Sequence, residues 1–218
     1  MNDTDFLPSD FLPSDDLTAE DALTRDLRAF AAEVRPPTLA PSDVSYVVED
    51  TVIGRMLLAV RDTGVLVAST FVPDDAAEQR ALERLSRGVS PRVLRQPRVL
   101  DEARRELDAF LSGSSHGFAL RADLALATPF QRLVLERLRN SVPYGERATY
   151  GQLARAVERP SASRAVGAAL GANPLCVVLP CHRVVASSGS LTGYAGGLAA
   201  KEYLLALEAR SPQGDRLR

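Results

Sequence analysis

The chain has 218 residues, 45% of them hydrophobic and 25% charged, enough to bury a core as one large domain or two small ones. Its net charge of −2 averages an acidic head with a basic tail: residues 1–50 carry −9, residues 51–127 carry +1 and residues 128–218 carry +6. No apolar run approaches the roughly 18 residues of a membrane span, no basic-then-apolar leader opens the chain, and two cysteines cannot form a disulfide framework, so a reducing, cytoplasmic location is expected.

Residues 1–16 contain a tandem repeat, Phe6-Leu-Pro-Ser-Asp10 and Phe11-Leu-Pro-Ser-Asp15. Pro, Ser and Asp at this density favour turns or a solvated tail; the other reading is a docking motif whose Phe-Leu pairs anchor a protein partner. Leu23, Leu27, Phe30 and Val34 share one helical face, and Pro36–Pro41 reads as a linker. Strands are predicted over Val44–Glu49, Met56–Arg61 and Val65–Phe71, with Asp62-Thr-Gly64 as a hairpin turn. Helices follow over 75–87 and 99–112, then a strand over Phe118–Leu124.

From Thr128 the pattern is helical again. Thr128-Pro129 supplies an N-cap and an N1 proline, and Phe130, Val134, Leu135 and Leu138 form an apolar face. Thr149 caps a short helix to Val157, and a second runs from Ser161 to Leu170, the spacing of a helix-turn-helix. A buried strand over Cys176–Leu179 leads to Pro180-Cys-His-Arg183, and a final helix spans Leu198–Ala209.

Chemistry concentrates at Cys181. A thiolate is a strong nucleophile, and a neighbouring base or cation favours it; His182 and Arg183 follow at once. Spacing alone leaves a nucleophile and a small core residue equally open. Adjacent residues on a strand face opposite ways, so cooperation between Cys181 and His182 needs a bend or a bridging water. Cys176, inside an apolar run, reads as core. The only other histidine is His116, too few ligands for a zinc site, so no metal or cofactor is expected. The basic residues are 25 Arg and a single Lys, Lys201.

Pro180-Cys-His-Arg-Val184, Gly193-Tyr194-x-x-Gly197 and Lys201-x-x-Leu204-Leu205-x-x-Glu208 resemble the O6-alkylguanine-DNA alkyltransferases (methylated-DNA–protein-cysteine methyltransferases). Thr128-Pro-Phe-Gln131, Pro143-Tyr-Gly145, Tyr150-Gly-Gln-Leu153, Arg164-Ala-Val-Gly167 and Asn173-Pro174 extend the resemblance upstream, so it covers 128–208. Residues 44–124 are similar to the family's variable N-terminal domain only loosely. The resemblance implies an α+β protein: a small ribonuclease-H-like sheet and helix domain over 42–124, then a winged helix-turn-helix-like alkyltransferase domain over 125–210. An acidic extension over 1–41 and a flexible tail over 211–218 flank them.

The implied reaction is stoichiometric transfer of an alkyl group from O6-alkylguanine, and from O4-alkylthymine, in double-stranded DNA to Cys181 by a monomer. A water-bridged relay would run from Glu208 through His182 to Cys181. Tyr150 would protonate the departing guanine, Asn173 would hold the thiolate turn, and Lys201 would support the ring system. Tyr194, Ala195, Gly196 and Gly197, with Pro180 and Val184, would wall the pocket. The narrow helix bearing Arg164, Ala165, Gly167 and Ala168, together with Thr149 and Tyr150, would enter the minor groove, with Arg164 replacing the extruded base. Other readings of the same residues are a non-catalytic alkylated-base-binding protein, which would lack the acceptor cysteine, and a helix-turn-helix transcriptional regulator. A Cys-His thiol hydrolase would need an oxyanion motif that the turns here do not supply.

Overall fold

Val- and Leu-rich segments from Val44 onward build a four-stranded sheet in the computed structural model, which describes residues 42–210. The 1–41 extension, with its repeat and the helix and linker predicted there, and the 211–218 tail lie outside the described residues. Strands β1 (Val44–Thr51), β2 (Gly54–Arg61) and β3 (Leu66–Phe71) are antiparallel neighbours, and β4 (Val93–Arg95) joins β1 in parallel, giving the order β3-β2-β1-β4. The turn at Asp62–Gly64 forms as expected, with Gly64 at φ 75°, a region closed to most side chains.

β2 sits in the middle of the sheet and is buried on both faces. Its side chains alternate: Leu57 and Ala59 pack with Val44, Val67 and Leu85, whereas Met56, Leu58 and Val60 pack with Leu107 and Phe110. The second of these clusters continues without a break into Val134, Leu138, Leu153, Val166 and Cys181. The sheet and the second half of the chain therefore share one core. Helix α1 (Asp75–Gly88) starts where the Asp74 side chain accepts the Ala77 amide at 2.7 Å. Helix α2 (Asp101–Leu111) follows a 3-10 turn at Pro97–Leu100.

Two expected strands do not form. Phe118–Leu124 makes a single bridge, Ala122 beside Leu66, with Leu66 donating to Arg121 and accepting from Asp123 at 2.9 Å. Further along the same edge of β3, the groups of Ser69 are taken by Pro174 and Cys176, at 2.8 and 2.7 Å. Two segments thus divide one sheet edge, and neither has enough of it for a ladder. Cys176–Leu179 is instead a tight turn, closed by Leu179 N–H to the Leu175 carbonyl at 2.8 Å, with Val177 at φ 73°. A β-branched residue there is strained, and the surrounding packing holds it.

Helix α3 (Pro129–Ser141) and helix α4 (Tyr150–Ala156) each begin with a reciprocal capping box, Thr128 with Gln131 and Thr149 with Gln152. Helix α5 (Ser163–Gly171) packs on both through Val166, Ala169 and Leu170. Short parallel strands β5 (Ala148–Thr149) and β6 (Val184–Val185) join the start of α4 to the residues after Cys181. Helix α6 (Gly197–Arg210) turns Ala200, Lys201, Leu204, Leu205 and Glu208 inward. The fold is mixed α+β, as the sequence predicts. Among the described residues no helix is long and apolar enough to cross a membrane.

Candidate active site

The site is built around the turn that follows α5. Asn173 staples it: its Oδ1 accepts the Leu175 amide at 2.9 Å, and its Nδ2 donates to the Leu179 carbonyl at 3.0 Å and to Cys181 Sγ at 3.2 Å. Cys181, His182 and Arg183 form a 3-10 turn, not the end of a strand. That curvature is the bend an adjacent Cys-His pair requires. Cys181 is 6% exposed. The neighbouring Cys176 side chain pulls the Cys181 thiol below its usual range; burial opposes this, and the Asn173 amide and the Lys201 charge support it. The Cys176 thiol is pushed well up by the neighbouring Cys181 and by burial.

Behind the thiol, His182 Nε2 meets Glu208 Oε1 at 2.8 Å. Since the carboxylate only accepts, Nε2 carries the proton. Burial lowers the His182 pKa against the pull of Glu208 and keeps the imidazole neutral, so Nδ1 is the basic nitrogen. Nδ1 is buried with no partner among the described residues. Burial alone would raise Glu208, but hydrogen bonds from His182 and Arg183 more than reverse it, and the net shift is downward. Arg183 Nε and Nη2 grip the carboxylate at 2.9–3.1 Å, Nη1 donates to the Val142 carbonyl at 2.9 Å, and the Gly145 amide reaches Oε2 at 3.2 Å.

Lys201, fully buried, donates to the carbonyls of Val184 at 2.6 Å and Thr192 at 2.9 Å. Burial lowers its pKa, and the Cys181 charge opposes the fall. The Tyr194 ring meets Phe71 edge-on at 5.5 Å and His182 at 6.3 Å, and burial pushes its phenol far up. Gly196 lies under Phe71: a Cβ there would stand 2.5 Å from the ring. Gly197, at φ 81°, opens α6, Ala195 is exposed and Val184 is buried. Pro180 lines a separate cavity of about 190 Å³ with Phe110, His116, Phe118 and Arg183.

The expected DNA-contacting residues lie on the outer side. Arg164, Ala165 and Ala168 are exposed on α5, and Arg147, Arg155 and Arg159 are exposed as well, Arg159 over the Phe130 ring. Thr149 is occupied as the α4 cap. Tyr150, the first residue of α4, lies against Gly167 of α5, and its hydroxyl accepts from Thr192 Oγ1 at 3.2 Å.

Four further residues belong to the site. Arg183 is expected from sequence as a cation beside the Cys181 thiol, and the structure turns it to Glu208 instead. Cys176 is buried, as expected of core, yet it lowers the Cys181 pKa and donates to the Asn173 carbonyl at 3.5 Å. Phe71 arrives from β3, and Thr192 from a loop without sequence signal. Among the described residues no cluster of His, Cys, Asp and Glu is arranged to hold a metal ion.

The family model for the 6-O-methylguanine DNA methyltransferase DNA-binding domain matches residues 129–210. A methylated-DNA–protein-cysteine methyltransferase of Mycolicibacterium paratuberculosis is 37% identical over 171 residues, 77% of this chain and 93% of that protein. The enzyme of that name from Methanosarcina acetivorans is 37% identical over 173 residues, 75% of this chain and 97% of its own length. The Mycobacterium tuberculosis OGT in complex with DNA superposes with a TM-score of 0.64 at 34% identity, covering 76% of this chain and 92% of that one. With relatives matched over nearly their full length and the His182–Glu208 pair formed next to Cys181 in sequence, the chain belongs to the methylated-DNA–protein-cysteine methyltransferase family.

Proposed function

We propose that this protein repairs DNA by moving an alkyl group from O6 of guanine onto its own Cys181, once per molecule. The observation that carries the reading is the Cys181 thiol itself, drawn toward the thiolate by Cys176, Asn173 and Lys201 in front of a neutral His182 held by Glu208. The Cys181 proton passes to His182 Nδ1 through a water. The thiolate attacks the alkyl carbon; the S–C bond forms, the C–O6 bond breaks, and the electron pair leaves with guanine. Tyr150 supplies the proton that neutralises the departing base. The product is a thioether, which has no route back to a thiol at this site.

The alkyl carbon lies inside a stacked duplex, so the base must be turned out. The small residues Ala165 and Ala168 allow the α5 backbone close to a minor groove, and Arg164 fills the space the base leaves. Arg147, Arg155 and Arg159 place positive charge for phosphates beside it. In this reading α4 and α5 form the helix-turn-helix of a DNA-binding domain, and a monomer suffices.

Intact-protein mass spectrometry after incubation with a duplex containing O6-methylguanine tests the proposal. One added methyl on the wild type and none on Cys181→Ser is expected. Unmodified wild-type protein with the lesion still in the DNA would overturn it and favour a non-catalytic binder. Removing residues 1–41 is expected to leave transfer intact, measured by the same assay.

A further inference from the structure

We infer that Thr192 is a positioning residue for the proton donated to the departing guanine, an inference that rests on the role proposed for Tyr150. Thr192 is fixed from one side and directed at Tyr150 from the other. Its carbonyl accepts from Lys201 Nζ at 2.9 Å, and the same buried ammonium holds the Val184 carbonyl at 2.6 Å. The loop carrying Thr192 is thereby tied to the residue next to the Cys-His-Arg turn. Its side-chain hydroxyl donates to Tyr150 Oη at 3.2 Å. On its other side the phenol ring faces Gly167 of α5.

The direction of this hydrogen bond is what matters. A phenol has one proton, and an oxygen that accepts from Thr192 keeps that proton for another acceptor. When Tyr150 gives it up, negative charge develops on the oxygen that Thr192 already faces. A hydrogen bond to an ionised oxygen is roughly twice as strong as one to a neutral oxygen, so the contact tightens as the proton leaves. An interaction stronger in the transition state than in the ground state raises the rate of transfer without raising affinity for DNA. In the free protein the pair is exposed, and an extruded base seated over it would exclude the competing water.

Single-turnover transfer from an O6-methylguanine duplex, compared across Thr192→Val, Thr192→Ser, Tyr150→Phe and the double variant Thr192→Val/Tyr150→Phe, tests this. Thr192→Val is expected to slow transfer about three- to tenfold, with affinity for undamaged duplex unchanged. Thr192→Ser, which keeps the donor, is expected to stay within about twofold of wild type. In the Tyr150→Phe background, Thr192→Val is expected to cost nothing more, because the partner oxygen is gone. A wild-type rate for Thr192→Val, the same loss in both backgrounds, or a serine variant as slow as the valine variant would each overturn the inference while leaving Tyr150 in its role. A wild-type rate for Tyr150→Phe alone would instead remove Tyr150 as the proton donor, and the inference would fall with it.

Discussion

Glu208 and Arg164 are both charged side chains on helices, and the molecule treats them in opposite ways. Glu208 is 3% exposed and accepts from His182, Arg183 and Gly145. Arg164 stands in solvent between alanines on the outer face of α5. A buried charge survives only with a full set of partners, so the inner half of the site is finished before any substrate arrives. In the proposed reading, the exposed Arg164 is left for DNA. Inner substitutions should therefore damage the fold and the chemistry together, and outer ones the chemistry on duplex DNA alone.

The largest effect is expected for Glu208→Ala, which leaves Arg183 buried without its carboxylate. A loss of about 3–5 kcal/mol in urea unfolding is expected, together with loss of transfer; a change under about 1 kcal/mol would show that the inner charges do not depend on one another. Gly196→Ala drives a methyl group into the Phe71 ring and is expected to cost about 1–3 kcal/mol in the same measurement. Phe71→Leu combined with it should recover part of the loss, because the colliding ring is then absent. Arg164→Ala is expected to leave stability within about 0.5 kcal/mol and slow repair of duplex DNA about tenfold, with reaction on free O6-alkylguanine unchanged. Equal losses on both substrates would erase the distinction between inner and outer faces.

The smallest effect concerns Cys176. The Cys176 side chain lowers the Cys181 pKa, and the thiolate is the reacting form, so the transfer rate rises as pH climbs through that pKa. Cys176→Ala raises the pKa and moves the rising limb of the pH–rate profile to higher pH. Transfer about threefold slower below the limb and unchanged above it is expected, while Cys176→Ser keeps a donor and stays near wild type.

The sequence exposes what is carried by periodicity and by motif. The apolar stripe of α3, the capping threonines Thr128 and Thr149, and the three long strands all lie where their patterns put them. Cys181, His182, Glu208, Asn173 and Lys201 were legible through the family resemblance, and the structure brings all five together. What stayed hidden depends on contacts between distant segments. Leu175-Cys-Val-Val-Leu179 is as apolar as a strand, but its hydrogen bonds go to Ser69 and back onto itself, which no pattern within the segment records. β4 has only three residues, too short for an alternation to register. Phe71 reads as a strand residue, and its place over Gly196 follows only from the sheet packing on the second half of the chain.

The grip on Glu208 also sets an order in time. The carboxylate lies 26 residues after His182, and its other partners come from the 142–145 turn and Arg183. Chains fold as they are synthesised, from the N-terminus onward, so a nascent chain that has already emerged through Cys181 still lacks the group that orients its histidine and neutralises its arginine. Only when α6 has been made and docked is His182 held by its carboxylate and Arg183 given its partner.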